Sequence, residues 1–325
     1  MLIPKYWAEG KARKRKQERQ VTIRRFGWSN VSHDEAQAMA DARAHEALEI
    51  VFSGTELGRS EPKVPYNGAD GVPIREEIVA EEGSSVITRN SYGARCLNTP
   101  DVFFADVDLE DHEPGWMKWL GVLIIAAGSV VTWQVTGDSR IGIPVLIALL
   151  ILVPWTLGKV SKTVMTFRGG PRKVAMDRIR AFAASHPDWN LHVYETPAGF
   201  RLLALHDLFD PSSESVAIAF KQLGTDRQYA WMCLRQQCFR ARLSPKPWRI
   251  GITTRLRPRP GVWPVAPQHL PARRQWIESY EKRSDSFAAC RFIEQLGSIA
   301  IHPAAATVRD LHDAACNAHS AMPLA

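Results

Sequence analysis

Asp106 and Asp108 are the sharpest candidates for chemistry in the chain. The segment Val102–Asp108 is predicted to be a β-strand, and residues two apart on a strand face the same side, so both carboxylates project together. Two carboxylates a few ångströms apart repel each other unless a divalent cation lies between them. The pair therefore predicts a Mg²⁺ or Mn²⁺ site for phosphoryl chemistry, with both residues as metal ligands and catalytic groups. The alternative is the solvated face of an edge strand that runs into the acidic loop Glu110–Glu113.

His206 is a second candidate catalytic residue, at the end of the predicted apolar strand Phe200–Leu205. An imidazole at that position could hold a phosphate or a metal-bound water. Arg201 on the same strand is a candidate ligand-binding residue, and on a regular strand it faces the opposite side from His206. The alternative for His206 is a strand-end histidine that is hydrogen-bonded to a neighbouring carbonyl.

A third candidate is a cationic segment that two prolines stiffen and two aromatic residues flank. Four cations between two aromatic rings suit a phosphate-rich ligand. The alternative is a surface connection whose cations meet lipid headgroups. The candidate ligand-binding cations are Arg240, Arg242, Lys246 and Arg249, and the flanking rings are Phe239 and Trp248.

Two uncharged apolar runs, Trp119–Val135 and the 18-residue Ile141–Gly158, are joined by a short polar turn. Each is long enough to cross a bilayer as a helix. The sequence predicts a transmembrane helical hairpin over residues 116–158, and a buried hairpin in a soluble domain is the alternative. Lys and Arg follow the second run closely, so the positive-inside rule predicts a multi-pass protein of the plasma (inner) membrane with both termini cytoplasmic.

The formal net charge of +7 comes from the first 25 residues, which hold nine Lys/Arg against Glu9 and Glu18. The basic run Lys11–Arg25 predicts contact with anionic lipid headgroups or with nucleic acid, and a solvated or disordered arm is the alternative. Residues 1–31 are assigned to this basic N-terminal arm.

The predicted elements on either side of the hairpin indicate one α+β domain with a mixed or antiparallel sheet, in which residues 32–115 and 159–325 contribute strands to the same sheet. A capping-box pattern, Ser32-His33-Asp34-Glu35, predicts the start of a helix. The five cysteines form no C-x-x-C pair and show no ligand-spaced cluster with histidine, which indicates reduced thiols with no disulfide partner. His312 lies among Ala-rich helical residues, where a packing or surface role is expected.

The strand-borne Asp106-x-Asp108, followed by Gly199-x-Arg201 leading to His206, is similar to the archaeo-eukaryotic primase superfamily over roughly residues 85–260. This resemblance implies an RRM-like palm and metal-dependent nucleotidyl transfer. Asp106 and Asp108 would hold the metals, and His206 would contact the nucleotide phosphate. Ala204 stands where the family's S-x-H motif has serine.

The chain as a whole, through the segment Arg89–Pro100 and the Arg/Pro/Trp segment, more closely resembles a family of bacterial two-span membrane proteins with no assigned activity. The leading hypothesis is a membrane-anchored cytosolic domain that binds a nucleotide or nucleic acid, extended by metal-dependent phosphoryl or nucleotidyl transfer. The rival is a non-catalytic membrane protein that recruits a partner or an anionic ligand through its basic segments.

Overall fold

The computed structural model describes residues 1, 3–16, 19–54, 73–109, 115–258 and 263–325. The acidic loop expected at Glu110–Glu113 lies outside these residues. The strands are β1 (Tyr6–Lys16), β2 (Arg19–Ser29), β3 (Glu77–Glu82), β4 (Ser85–Arg89), β5 (Arg95–Thr99), β6 (Phe104–Asp108), β7 (Asn190–Thr196), β8 (Gly199–Ala204), β9 (Phe239–Arg242) and β10 (Arg291–Gly297). The helices are α1 (His33–Phe52), α2 (Gly115–Thr136), α3 (Ser139–Phe167), α4 (Gly170–Ser185), α5 (Glu214–Leu223), α6 (Arg227–Gln236), α7 (Leu270–Ser284) and α8 (Pro303–Cys316), with 3₁₀ turns at Pro247–Ile250 and Pro267–His269.

The fold is mixed α+β with antiparallel sheets, as the sequence predicts. Beyond the β1–β2 pair, strands form two four-stranded sheets, in the orders β10-β7-β8-β6 and β3-β4-β5-β9. Strands from before and after α2 and α3 pair with each other, but in these two sheets rather than in the single shared sheet that the sequence predicts. The described residues divide into two compact units, one of residues 1–107 with 183–325 and one of residues 108–182.

The basic N-terminal segment forms the β1–β2 hairpin, which the sequence analysis did not foresee. The helix α1 packs on one face of it, and its start is capped as predicted, because the Ser32 hydroxyl accepts a hydrogen bond from the Glu35 N–H at 3.2 Å. Contact is very close at Gly10 and Gly27, where an added Cβ would lie 2.2 Å from a carbonyl oxygen of α1. The packing therefore requires glycine on both strands.

The sheet that contains β6 and β8 is covered on both faces. On one face the Phe103 ring contacts Trp189, Phe209 and the Phe220 ring of α5 at centroid distances of 5.4, 5.4 and 5.2 Å. On the other face the Phe104 ring contacts the His312 imidazole of α8 at 5.3 Å. Because side chains alternate along a strand, the odd and even residues of β6 belong to different surroundings.

The unit of residues 108–182 contains two apolar helices. Windows at Trp119–Thr136 and Ser139–Phe167 are long and apolar enough to cross a membrane, and each window is only 6% buried. The two helices pack through small residues, since an added Cβ at Gly128 would lie 2.8 Å from the Leu149 side chain. The second helix continues past the predicted end at Gly158, because no Gly or Pro stands between Gly158 and Gly169.

Candidate functional site

Asp106 lies on the α8 face of the sheet and forms an ion pair with Arg201 of β8. Arg201 Nε is 2.9 Å from Asp106 Oδ1, and Arg201 is only 1% exposed. Burial opposes the charge of this guanidinium, but the Asp106 carboxylate outweighs it and raises the pKa of Arg201. The charge of Asp106 is thus compensated within the fold, where the sequence analysis expected a divalent metal. Asp108 is the exposed last residue of β6.

The Arg201 guanidinium binds partners inside the fold and does not face an open ligand site. Its Nη1 donates to the Arg242 carbonyl at 2.8 Å and lies 3.4 Å from His312 Nε2. These contacts, together with the ion pair to Asp106, occupy most of the guanidinium. The fold therefore gives Arg201 a structural environment, in contrast to the expected ligand-binding role.

His206 lies on the opposite face of this sheet from Asp106 and Arg201. Its Nδ1 accepts a hydrogen bond from the Asn190 backbone N–H at 3.3 Å, and its ring contacts Trp189 and Phe209 at 4.8 and 5.3 Å. Burial among these groups lowers the pKa of His206. The predicted opposition of Arg201 and His206 is present. The same alternation keeps His206 away from Asp106, so the two do not share a site as the primase-like arrangement requires.

Arg240 of β9 forms a buried ion pair and does not face solvent. Its Nη2 lies 2.8 and 2.6 Å from the two carboxylate oxygens of Glu76, and Arg240 is 4% exposed. Thr88 donates a further hydrogen bond to Glu76 at 2.6 Å. Because its charge is matched inside the fold, Arg240 is a structural residue rather than the ligand-binding residue that its segment suggests.

The remaining cations of this segment are half-buried beside aromatic rings. Arg242 hydrogen-bonds Tyr92. Burial opposes the cation, but Tyr92 and the Asp106 carboxylate together outweigh it and raise the pKa of Arg242. Lys246 Nζ lies 5.6 Å from the centre of the Trp248 ring, a cation–π arrangement. Arg249 lies in the 3₁₀ turn, with its backbone N–H donating to the Lys246 carbonyl at 2.9 Å.

Beside these cations lies a cavity of about 1040 Å³ that is rich in aromatic and hydroxyl side chains. Arg255 is the one charged residue among the described residues that line it. We call this the aromatic cavity. Its lining residues are Ser91, Tyr92, Pro247, Trp248, Ile252, Thr253, Thr254, Arg255, Leu256 and Trp276.

The wall that carries Tyr92 is a tight turn held by the buried Asn90 side chain. Asn90 Oδ1 accepts hydrogen bonds from the backbone N–H groups of Tyr92 and Ala94 at 3.2 and 3.0 Å. Gly93 has φ +100°, and an added Cβ there would lie 2.3 Å from the Trp276 ring. The turn therefore presents Tyr92 in a fixed position and lets Trp276 pack directly against the backbone.

Trp276, which α7 contributes to the cavity wall, is also held in place by its neighbours. The Trp276 indole stacks on Tyr280 with ring centroids 5.3 Å apart and donates its N–H to the Thr254 carbonyl at 3.1 Å. Tyr280 in turn donates a hydrogen bond to the Pro245 carbonyl at 2.7 Å. The Trp248 ring lies 5.3 Å from Tyr92 and remains 58% exposed. The cavity thus combines two anchored rings with one accessible ring.

The predicted basic segment forms one edge of this cavity, but Tyr92 and Trp276 were not predicted as its partners. One signal was available in the charge pattern. Between Asp226 and Glu278 the chain has no acidic residue and eleven Lys/Arg. Their positions are 227, 235, 240, 242, 246, 249, 255, 257, 259, 273 and 274.

A second basic surface lies on the β1–β2 hairpin, on the side opposite α1. Strand alternation places exposed cations together there, and Lys11 pairs directly with Arg24 across the strands. Glu9 partly offsets them, at 3.7 Å from Arg24. The exposed cations of this face are Lys11, Arg13, Arg15 and Arg24.

A third group of polar side chains lies under α8, where sequence reasoning expected only packing residues. Cys290, His312 and Cys316 are buried, and their ligand atoms all lie within 4.8 Å of one another. The expectation that cysteine and histidine form no ligand-spaced cluster is therefore wrong. The signal was His312-x-x-x-Cys316, a spacing that places both residues on one face of a helix.

Comparisons with protein-family models, with curated proteins and with solved structures give no match. The function is therefore argued from the geometry of these sites.

Proposed function

We propose that this chain is a membrane-anchored protein whose larger unit binds a nucleotide, or a nucleotide of a nucleic acid, in the aromatic cavity. The observation that carries the proposal is the union of three aromatic rings, Tyr92, Trp248 and Trp276, with the cation Arg255 in one cavity of about 1040 Å³. A nucleotide carries an aromatic base and an anionic phosphate on its sugar, and the cavity offers a matching surface for the base and for the phosphate.

The base of the ligand can stack on an aromatic side chain of the cavity. Every nucleobase has a π-face, and stacking on an aromatic side chain contributes about 1–3 kcal/mol per base. Trp248 is the ring best placed for this role because it is 58% exposed at the cavity wall. The volume lies at the upper end of the usual range for small-molecule sites, about 300–1,000 Å³, and accommodates a base with its sugar and phosphates.

The phosphate of the ligand can pair with cations at the cavity. Arg255 lines the cavity, Lys246 lies beside Trp248, and the surrounding 227–277 segment has no carboxylate in its sequence. Arginine is favoured for phosphate recognition because its planar guanidinium can donate two parallel hydrogen bonds. The positive charge of Arg255 at the cavity wall attracts an anion as it approaches.

Membrane anchoring is supported by α2 and α3. Their apolar windows are almost wholly exposed, at 6% buried, whereas a soluble core helix would bury its apolar side chains against the protein. Basic residues after the second span favour cytoplasmic placement of the larger unit. The basic outer face of the β1–β2 hairpin would then contact anionic headgroups of the cytoplasmic leaflet, at about 1 kcal/mol per cation near the surface.

Metal-dependent transfer at Asp106 and Asp108 is not part of this proposal. Arg201 already neutralises Asp106, and His206 faces the other side of the sheet. Binding in the aromatic cavity needs neither residue.

The test is ligand titration of the full chain in nanodiscs, with ATP and, separately, a short single-stranded oligonucleotide as probes. We expect saturable binding of at least one probe. Trp248→Ala should weaken it about 5- to 150-fold, which corresponds to the loss of about 1–3 kcal/mol of stacking. Arg255→Gln should weaken binding and reduce its salt dependence, because one phosphate contact is lost.

The chain offers a matched control pair outside the cavity. In α6 the exposed Trp231 ring has the Arg235 guanidinium 5.4 Å from its centre. Trp231→Ala and Arg235→Gln remove the same groups and should leave affinity unchanged. The proposal is contradicted if neither probe binds saturably, or if Trp248→Ala binds as well as Trp231→Ala.

A further inference from the structure

A buried cysteine and histidine cluster under α8 has the form of a metal-binding site. His312 and Cys316 occupy positions i and i+4 of α8, and Cys290 immediately precedes β10. All three residues have zero exposure, and their ligand atoms lie within 4.8 Å of one another. The cluster is distinct from the aromatic cavity, since it shares no residue with that lining.

The backbone fixes the positions of both sulfurs. The Ala289 N–H donates to the Cys316 carbonyl at 2.9 Å, which ties the segment before β10 to the end of α8. The helix ends at Asn317, whose left-handed backbone (φ 54°) turns the chain back so that the Ala318 N–H reaches the Asp313 carbonyl at 3.0 Å. The ligand side chains therefore start from a rigid frame.

The imidazole of His312 is oriented as in metal-bound histidines. Its Nδ1 lies 2.8 Å from Asp313 Oδ1, and the other carboxylate oxygen of Asp313 lies 2.9 Å from His319 Nε2. This leaves Nε2 directed at Cys290 Sγ, 3.7 Å away. A carboxylate on the remote ring nitrogen fixes the tautomer and raises the basicity of the ligating nitrogen.

The separation between the Cys290 sulfur and the His312 nitrogen fits a tetrahedral zinc ion. With Zn–S bonds of about 2.3 Å and a Zn–N bond of about 2.0–2.1 Å, tetrahedral angles place sulfur and nitrogen about 3.6 Å apart. The observed separation of 3.7 Å between Cys290 Sγ and His312 Nε2 agrees with this value. Two thiolates and one imidazole are a ligand set that zinc prefers, and hard ions such as Mg²⁺ do not.

The neighbouring cation is compatible with a bound ion. Arg201 Nη1 is 3.4 Å from His312 Nε2 but also donates to the Arg242 carbonyl at 2.8 Å, and it can keep that second hydrogen bond when Nε2 binds metal. Two thiolates cancel the charge of Zn²⁺, so the ion adds no net charge beside the guanidinium. The fourth tetrahedral position remains for a water molecule.

We propose that Cys290, His312 and Cys316 bind one Zn²⁺ ion that fastens α8 to the start of β10, with Asp313 as the positioning residue for His312. Zinc binding at this site does not depend on ligand binding in the aromatic cavity. The two proposals are tested by different measurements, so either can fail while the other holds.

The test uses the full chain purified in detergent without chelators. Elemental analysis should give one zinc per chain, and the stripped protein should recover one zinc in competition with a chromophoric chelator. Co²⁺ in place of zinc should produce thiolate-to-cobalt charge-transfer absorption. These wild-type measurements do not depend on whether a variant folds.

Variants locate the ion. Cys316→Ser and His312→Gln should weaken zinc binding by about 100-fold or more, and Asp313→Asn by about 10- to 100-fold. Cys233→Ser is the control, because Cys233 is an equally buried thiol in α6; it should bind zinc as the wild type does. The proposal is overturned if the wild type takes up no stoichiometric zinc, or if mass spectrometry finds Cys290 and Cys316 joined as a disulfide.

Discussion

The aromatic cavity and the buried network under α8 each contain an arginine, but in opposite surroundings. In the network, Arg201 meets Asp106 and Asp313 meets His312, so each charged or polar group has a partner inside the fold. In the cavity, Arg255 is the one charged residue of the described lining, and no carboxylate lines the wall with it. The network is internally neutral and closed, whereas the cavity is open and positive.

This difference shows why a motif and a site need not coincide. The acidic D-x-D pattern has the more familiar sequence form, yet its first carboxylate stabilises the fold through Arg201. The Pro-stiffened basic segment has the less specific form, yet it borders the cavity where an anion would enter. The two regions differ in whether their charged groups are paired inside the fold, and the form of the sequence motif does not reveal this difference.

The largest expected effect is the loss of stability when the ion pair between Asp106 and Arg201 is broken. Asp106→Asn leaves Arg201 buried without its counter-ion, so it should lower the free energy of unfolding by about 3–5 kcal/mol. Asp108→Asn, at the exposed end of the same strand, should change it by no more than about 0.5 kcal/mol. Urea denaturation of the full chain in detergent, followed by tryptophan fluorescence, measures both.

A double substitution sharpens this prediction. Asp106→Leu with Arg201→Met replaces the pair by apolar groups and should recover much of the loss, because no charge is left unpaired. Equal stability of Asp106→Asn and Asp108→Asn would show that Asp106 is available for other roles. Saturable Mn²⁺ binding that both substitutions abolish would restore the metal prediction.

An intermediate effect tests whether the cavity wall is rigid. Gly93→Ala places a methyl group against the Trp276 ring and also strains a backbone with φ +100°. Gly54→Ala has nearly the same backbone angle, φ +101°, with no atom within 4 Å of the added Cβ. The difference between the two variants isolates the Trp276 contact, and we expect it to be about 1–3 kcal/mol in unfolding free energy.

The same variant should also weaken ligand binding, because Trp276 must move out of the cavity wall. Nucleotide titration of Gly93→Ala and Gly54→Ala measures this effect. Unchanged affinity in Gly93→Ala would show that Trp276 supports the fold and contributes nothing to binding.

The smallest expected effect is a pH-dependent change in stability at His206, on the face of the sheet opposite Asp106. Burial against Trp189 and Phe209 lowers the pKa of His206, so the folded state binds this proton more weakly than the unfolded state does. The contribution of neutral His206 to stability is therefore complete above its unfolded pKa of about 6.5 and declines as the pH falls below that value. His206→Gln lacks this dependence.

Unfolding measured between pH 7.5 and 5 for wild type and His206→Gln should thus show a stability difference that shrinks toward acidic pH, at about the values where histidine titrates. A constant difference over this range would mean that protonation of His206 is not coupled to folding.

Some of this architecture follows from local patterns. The two apolar helices are evident from composition, because uncharged runs of about 18 residues have few structural alternatives. The start of α1 follows from Ser32 and Glu35, whose side chain and backbone form the predicted cap. Joint contribution of early and late strands to common sheets also followed from the strand pattern.

The β1–β2 hairpin did not follow, for a physical reason. Strands are recognised by alternating bulky apolar residues, but the inward face of β1 consists of Ala8, Gly10 and Ala12. Small residues suit the close approach of α1, and the exposed cations Lys11, Arg13 and Arg15 on the other face resemble a solvated arm. Backbone proximity, rather than hydrophobic volume, determines this packing.

The two sites depend on distant residues and could be predicted only in part. His312 and Cys316 could be paired from their helical spacing, but Cys290 reaches them through the packing of β10 under α8. Tyr92 and Trp276 line the same cavity, and Trp276 can pack there because Gly93 lets its ring contact the backbone. Contacts of this kind arise from tertiary packing and leave no local pattern.

The pairing of β6 with β8 has a consequence for biosynthesis. β6 ends at residue 108 and β8 begins at residue 199, so a ribosome must add 91 residues before the partner strand exists. At about 5–20 residues per second, β6 waits roughly 5–18 s before β8 can pair with it. During that interval the intervening apolar helices α2 and α3 are synthesised, so both emerge before the sheet can form.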